Sequence, residues 1–201
     1  MRETDTSGQR WEALMPAQAA QLFTSARFPW WISGGWALDL FLGHQSREHG
    51  DLDIAVLRRD QDRAAQLFSD WDLRVAARGR LRSLRPGEWL ELGENDLWCR
   101  PTPSAPWVFQ LVLTEGDQQR WVYRRDRRIT RPLAEIGLRT REGIPYLAPE
   151  LVLLFKATHP LAKDESDFAN TIPHLNDAAR HWLAGALTVI HPGHPWLTRF
   201  S

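Results

Sequence analysis

The chain has 201 residues, 25 basic and 25 acidic side chains, zero formal net charge and 43% hydrophobic residues. That is the make-up of a folded globular protein large enough to bury a core, and it excludes a disordered chain or one drawn to nucleic acid or an anionic membrane by its overall field. Cys99 is the single cysteine, so no intramolecular disulfide can form. With no basic-then-apolar leader over residues 1–16 and no apolar run long enough to span a bilayer, the expectation is a cytoplasmic protein.

In chain order, Leu14, Ala17, Leu22 and Phe23 recur at helical spacing and predict a first helix over 11–26. Phe28 to Ile32 is short, aromatic and apolar, the pattern of a buried strand, and Gly34-Gly35 ends it. Trp36 to Leu42 reads as a short helix stopped by Gly43, where a left-handed cap is wanted. Asp51 to Leu57 reads as a second strand. Residues at i and i+2 of a strand share a face, so Asp51 and Asp53 can offer their oxygens to one point while Leu52, Ile54 and Val56 face a core.

Ala64, Leu67, Phe68 and Trp71 predict a helix over 60–71, with Asp60 as its cap. Strand-like pieces follow at 73–77, 88–92, 97–100, 108–113 and 121–125, separated by Gly, Pro and Asn clusters. Beyond Gly143 the character changes. Pro149 opens an apolar helix to Thr158, a second is expected over 164–170, and Pro173 opens a third with a stripe from Leu175 to Ile190. The tail from His191 to Trp196 is too rich in Pro and Gly for regular structure, and its histidines are read as part of a turn rather than as metal ligands. The expected fold class is α+β: a mixed sheet flanked by helices over 1–145, then a helical carboxyl-terminal part over 146–201. Most of the eleven tryptophans are expected in the core or in pocket walls.

Ser33-Gly34-Gly35 carries the first chemistry. A glycine pair between a strand and a helix lets backbone amides approach a ligand, and the helix start adds unpaired N–H groups and the positive end of its dipole, which suits phosphate. Asp51 and Asp53 form a seat for a hard divalent cation. Taken singly, each feature also reads as a tight turn or a solvated surface pair. Their conjunction, with Arg47 and His49 just ahead of an apolar strand, points to phosphoryl-type transfer.

The run Gly34-Gly35-Trp36-Ala37-Leu38-Asp39, followed by Gly43, Arg47, His49, Asp51 and Asp53, resembles the aminoglycoside nucleotidyltransferases. It is most similar to the branch that adenylylates a 2″-hydroxyl, within the polymerase-beta-like superfamily. The close match spans 30–56, and a looser one extends to about residue 190. The resemblance implies a nucleotidyltransferase domain with a helical domain and Mg²⁺ on Asp51 and Asp53. It also implies transfer of AMP from ATP, or of another nucleoside monophosphate from its triphosphate, to a hydroxyl of a small molecule such as an aminoglycoside-type antibiotic.

Family members supply a third carboxylate from a later strand. The looser match over 92–101 puts Trp98 there, and an indole can neither hold a metal nor take a proton. Asp96, on the same face, is the candidate third catalytic acid beside Asp51 and Asp53; Gln110, Glu91 and Glu115 are further polar positions. Ser33, Gly34, Gly35, Arg47, Lys156 and Lys163 are the nucleotide-binding candidates, since similar enzymes set a helix lysine against the triphosphate. Against this, Lys156 also reads as a snorkelling side chain, and Lys163-Asp164 as a helix start capped by Asp164.

His49 reads as a proton carrier or as a hydrogen-bonding anchor for the loop before Asp51, and Asp39 as an acid favouring its helix dipole. Arg120, Arg124, Arg125, Arg127, Arg128 and Arg131, around Trp121 and Tyr123, read as an edge strand kept soluble by charge or as a surface for single-stranded nucleic acid. A polycationic acceptor calls for an acidic pocket, for which Glu88, Glu91, Glu94 and Asp96 are the available residues. Two rival functions remain: a toxin-like nucleotidyltransferase acting on RNA or protein, and a nucleotide-binding module without catalysis. No membrane partner is expected, and no oligomeric state is read.

Overall fold

The apolar stretches pair into one mixed sheet, described here from a computed structural model over residues 4–200. The chain begins with strand β1 (Thr4–Asp5), helix α1 (Pro16–Leu22), β2 (Trp30–Ile32), α2 (Gly34–Leu42), β3 (Asp53–Leu57) and α3 (Gln61–Leu67). Its middle supplies β4 (Asp72–Ala77), β5 (Arg80–Ser83), β6 (Asp96–Arg100), β7 (Phe109–Gly116), β8 (Arg120–Val122), β9 (Thr130–Pro132), β10 (Gly137–Arg139) and β11 (Pro145–Leu147). Helices α4 (Pro149–Lys156), α5 (Ala162–Thr171) and α6 (Asp177–Ile190) follow. The strands lie in the order β1-β5-β4-β6-β7-β3-β2-β11-β10, and β8 with β9 extends from β7. β3 runs parallel to β7 and β2 to β11, the other pairings being antiparallel. The class is α+β, as expected.

Several elements differ from the sequence expectation for identifiable reasons. The first helix starts at Pro16, not at 11, because residues 11–14 are drawn out along the sheet. There the amides of Glu12 and Leu14 bond to the carbonyls of Trp107 and Val108, both at 2.9 Å. Helix α2 starts two residues early, at Gly34, and ends as expected on Gly43 in the left-handed conformation (φ +77°). Asp60 caps nothing; its carboxylate pairs instead with Arg59 and Arg63.

No strand forms over 88–92. The buried Arg58 guanidinium collects the carbonyls of Leu90, Glu91 and Glu94 at 3.0–3.1 Å, which holds this stretch as a loop. The partner of β4 is β5 instead, reached through Arg78-Gly79 with φ +51° and +74°, the left-handed pair of a tight hairpin turn. Pro173 lies in a 3-10 turn, and α6 begins later, where the Asn176 side chain accepts from the Ala179 amide at 2.9 Å. The tail is more regular than expected, with a 3-10 helix at Pro195–Arg199. His194 serves that turn, accepting from the Trp196 amide at 3.1 Å.

Strand β3 is buried on both faces: Ile54, Ala55, Val56 and Leu57, with Leu52 just ahead, are all at most 1% exposed. Each such aliphatic side chain contributes about 1.5–3 kcal/mol on burial, so the strand that presents Asp53 is among the most firmly held parts of the molecule. Leu151, Leu153 and Leu154 of α4 meet Leu183 and Leu187 of α6 in the same continuous core. No helix of the described residues is long and apolar enough to cross a membrane.

Candidate active site

The turn from β2 into α2 is shaped by what its glycines leave out. The Ser33 amide donates to the Asp53 carbonyl at 2.8 Å, and the Ser33 hydroxyl makes no capping bond. Gly34 stands at φ +61°, and a Cβ there would lie 2.1 Å from Asp53 Oδ2. A Cβ on Gly35 would lie 2.4 Å from Arg47 Nη2 and 2.6 Å from His49 Nδ1. The space beside each glycine is therefore filled by the chain's own side chains. Phosphate would meet this turn through backbone amides and the Ser33 hydroxyl.

Asp53 heads β3, whereas Asp51 lies in the exposed loop before it, so the two acids do not share a strand as the alternation suggested. Across the parallel pairing, Asp53 faces Gln110 of β7, whose side-chain amide donates to Asp53 Oδ1. Burial and then the nearby charge of Asp51 push the Asp53 carboxyl up to about 6, against the opposing pull of the Gln110 hydrogen bond. Among the described residues neither Asp51 nor Asp53 closes an ion pair. Two carboxylates in mutual repulsion, with Lys156 near Asp53 but at no ion-pair distance, fit a divalent cation. No group of three or more His, Cys, Asp or Glu gathers among the described residues. The chain thus offers a carboxylate pair, a donor set that suits Mg²⁺, which keeps its waters and is completed by substrate phosphates.

The sheet register fixes the remaining polar positions. Asp53, Gln110 and Trp98 lie in line across β3, β7 and β6, and Ala55, Val112 and Asp96 form the next line on the same face. Trp98 packs edge-on against Trp11 and Trp107, with centroids 4.8 and 5.5 Å apart. Asp96 is separated from β3 by β7, yet its charge reaches Asp53 and adds to the upward push on that carboxyl. Asp96 also lines the same cleft of about 260 Å³, with Ser33, Gly34, Asp53 and Lys156. Burial raises its carboxyl, while Arg124, Arg125 and Arg58 pull the other way. Glu115 is taken by Arg58 at 2.6 Å, and Glu88 and Glu94 by Arg82, so of the acids read for a polycation's pocket only Glu91 and Asp96 close no ion pair among the described residues.

Arg47 grips Asp167 of α5 with two hydrogen bonds, at 2.9 and 3.0 Å. Lys156, at the end of α4, reaches Asp164 at 2.5 Å and Asp167 at 2.9 Å while still lining the cleft, so it is bound rather than snorkelling. Asp164 also accepts from the Leu161 amide at 3.0 Å, the helix-start role read for it. Lys163 is exposed on α5 and lies outside the cleft.

Asp39, 3% exposed, acts as an anchor rather than a dipole partner. It accepts from His49 Nε2 and Ser46 Oγ, both at 2.5 Å, and His49 stacks on Trp36. His49 therefore fixes the loop before Asp51. Sequence reasoning missed Arg124 and Arg125 as cleft residues. The chain turns back just after β8, through a Tyr123 amide bond to the Ile129 carbonyl at 2.9 Å, and arginine spacing carries no signal for that turn. In the rest of the run, Arg128 is held by Asp126 and Arg131 by Glu150.

Solved structures share this architecture. The lincosamide antibiotic adenylyltransferase LnuA, with lincomycin bound, aligns with a TM-score of 0.55 and 17% identity over 82% of this chain and 98% of that one. ANT(2″)-Ia in complex with adenylyl-2″-tobramycin aligns with a TM-score of 0.53 and 14% identity over 87% and 94%. The fold is that of the nucleotidyltransferases. In sequence, residues 17–80 match the aminoglycoside-2″-adenylyltransferase family. A 49-residue stretch is 35% identical to a lincosamide resistance protein of Staphylococcus haemolyticus, spanning 24% of this chain and 30% of that protein's length. The match over residues 17–80 agrees with the aminoglycoside nucleotidyltransferase resemblance that the Gly-Gly and Asp-x-Asp motifs carried, and the lincosamide proteins extend the likeness.

Proposed function

We propose that this protein is an adenylyltransferase that moves AMP from ATP to a hydroxyl of a small antibiotic and releases pyrophosphate. The observation that carries this reading is the Asp51–Asp53 pair, in no ion pair among the described residues, beside a cleft that also holds the Ser33–Gly34 turn and Lys156. In this reading residues 1–145 form the nucleotidyltransferase domain and 146–201 the helical one.

The cleft residues would divide the work as follows. Ser33 and the amides at the start of α2 bind phosphate oxygens, and Lys156, held in place by Asp164 and Asp167, offsets their charge. The acceptor oxygen bonds to the α-phosphorus, the bond from that phosphorus to the α,β-bridging oxygen breaks, and the electron pair leaves with pyrophosphate. Asp96, its carboxyl raised by burial, takes the acceptor's proton. Asp51 and Asp53 would hold Mg²⁺, which when bound neutralises triphosphate oxygens and aligns the entering and leaving groups. Arg47 acts at one remove, through Asp167.

Because the cleft's acids are few and its walls carry Lys156, Arg124 and Arg125, a lightly charged acceptor such as a lincosamide fits better than a polycationic aminoglycoside. Trp98, standing in line with Asp53 and Gln110, favours one second reading: a module that binds nucleotide without turnover. Incubation with labelled ATP and Mg²⁺ against antibiotics, transfer RNA and protein separates the readings. Pyrophosphate release only with an antibiotic supports the proposal; label on a macromolecule, or binding without release, overturns it.

A further inference from the structure

Among the described residues, Arg124 is the half-buried cation of the cleft that closes no ion pair. Arg47, Arg58, Arg82, Arg131 and Lys156, also largely shielded from water, each close an ion pair. Arg124 closes none among the described residues. Its Nη1 makes one long hydrogen bond to the Leu113 carbonyl, 3.4 Å, and its guanidinium carbon sits 5.3 Å from the Phe155 ring centroid. Asp96 faces it without reaching ion-pair distance, and the neighbouring groups Arg125 and Lys156 are themselves positive. Burial accordingly pulls the Arg124 guanidinium below its ordinary pKa.

Holding a half-buried guanidinium without its anion is unfavourable, and the ligand that reverses this presents two oxygens to its planar fork. Ser33, Gly34 and Lys156 line the same cleft, so the matching anion is a polyphosphate. We infer that Arg124 grips the β,γ-phosphates of the bound nucleoside triphosphate and stabilises the pyrophosphate as it leaves. This rests on the nucleotidyltransferase reading. As the bond between the α-phosphorus and the bridging oxygen breaks, negative charge gathers on the departing pyrophosphate, and a guanidinium donating to its oxygens opposes that build-up.

The test is titration calorimetry with inorganic pyrophosphate, ATP and AMP, each with Mg²⁺, on the wild-type protein, Arg124→Ala and Arg124→Lys. The alanine variant is expected to bind pyrophosphate and ATP about 10- to 100-fold more weakly. It should bind AMP as the wild type does and show no lower melting temperature without nucleotide. The lysine variant, with charge but no fork, is expected between the two. Wild-type binding of pyrophosphate that Arg124→Ala retains in full overturns the inference alone. A matched fall in AMP affinity and melting temperature assigns Arg124 to the fold and also overturns it. A wild-type protein that binds neither ATP nor pyrophosphate overturns the nucleotidyltransferase reading and this inference with it.

Discussion

Arg47 and Asp167, 120 positions apart in the chain, meet in a two-point ion pair that ties the loop ahead of β3 to helix α5. Asp167 is 3% exposed and receives Lys156 as well, so one carboxylate joins Arg47 to Lys156, which Asp164 also holds. Removing Arg47 takes two charge-assisted hydrogen bonds from Asp167 but leaves it paired with Lys156. Arg47→Ala is expected to lower unfolding free energy by about 1.5–3 kcal/mol, read from urea titration.

The same carboxylate sets an acid limit. Burial alone would raise the Asp167 carboxyl, but hydrogen bonds from Arg47 and Lys156 outweigh it and hold the group below the usual carboxylate range. A group depressed in the folded state contributes stability that is complete above its unfolded pKa, about 3.9. That stability is lost as pH falls through the lower folded value. Melting temperature should therefore fall steeply below about pH 4. Asp167→Asn should melt lower at neutral pH but lose less on further acidification.

Changing Asp51 or Asp53 to Asn removes an oxygen donor from the proposed Mg²⁺ seat. Adenylyl transfer is expected to drop roughly 10³-fold, with circular dichroism unchanged. Asp53 carries a further signature. Its carboxyl is raised to about 6 by burial and by Asp51, so ionising it works against folding at neutral pH when no cation is present. Metal-free Asp53→Asn should therefore melt no lower than wild type at pH 7, and Mg²⁺ should stabilise only the wild-type protein.

Gly34→Ala tests the turn. The new methyl would sit 2.1 Å from Asp53 Oδ2 on a residue at φ +61°, a conformation that adds about 1–2 kcal/mol for an L side chain. Activity should be lost together with a measurable drop in melting temperature. Ala at Gly50, where a Cβ meets nothing within 4 Å, should change neither.

What the sequence made legible was local. The cap at Gly43 and the glycine turn are set by neighbours within a few residues, and each has a direct backbone cause, whereas the alternation that joined Asp51 to Asp53 failed because Asp51 stands in the loop before β3. The apolar stripe of α6 was equally readable, because Leu183 and Leu187 follow the helical period to the core. Long-range partnerships were not. Glu88–Leu92 looks like a strand until Arg58, some thirty residues earlier, is seen to hold its carbonyls. Arg78-Gly79 lacks the asparagine or aspartate that usually marks such a hairpin. Asp96 was found from alternation along one strand, but its separation from Asp53 is decided by β7 lying between their strands. Arg124 stands out only once Lys156, in the same cleft, is seen to be matched by Asp164 and Asp167.

Asp39 receives both Ser46 and His49, and His49 in turn rests on Trp36 and against Gly35. One wall of the cleft is therefore a welded unit: helix, loop and metal-facing acids shift together or not at all, and a substitution there disturbs the chemistry before it alters what is recognised. The opposite wall, built from β6, β7 and the arginines after β8, is tied to that unit by the side chain of Gln110, through its bond to Asp53. Changes of acceptor, whether by natural drift or by engineering, are best tolerated on that side at positions other than Gln110, Asp96 and Arg124.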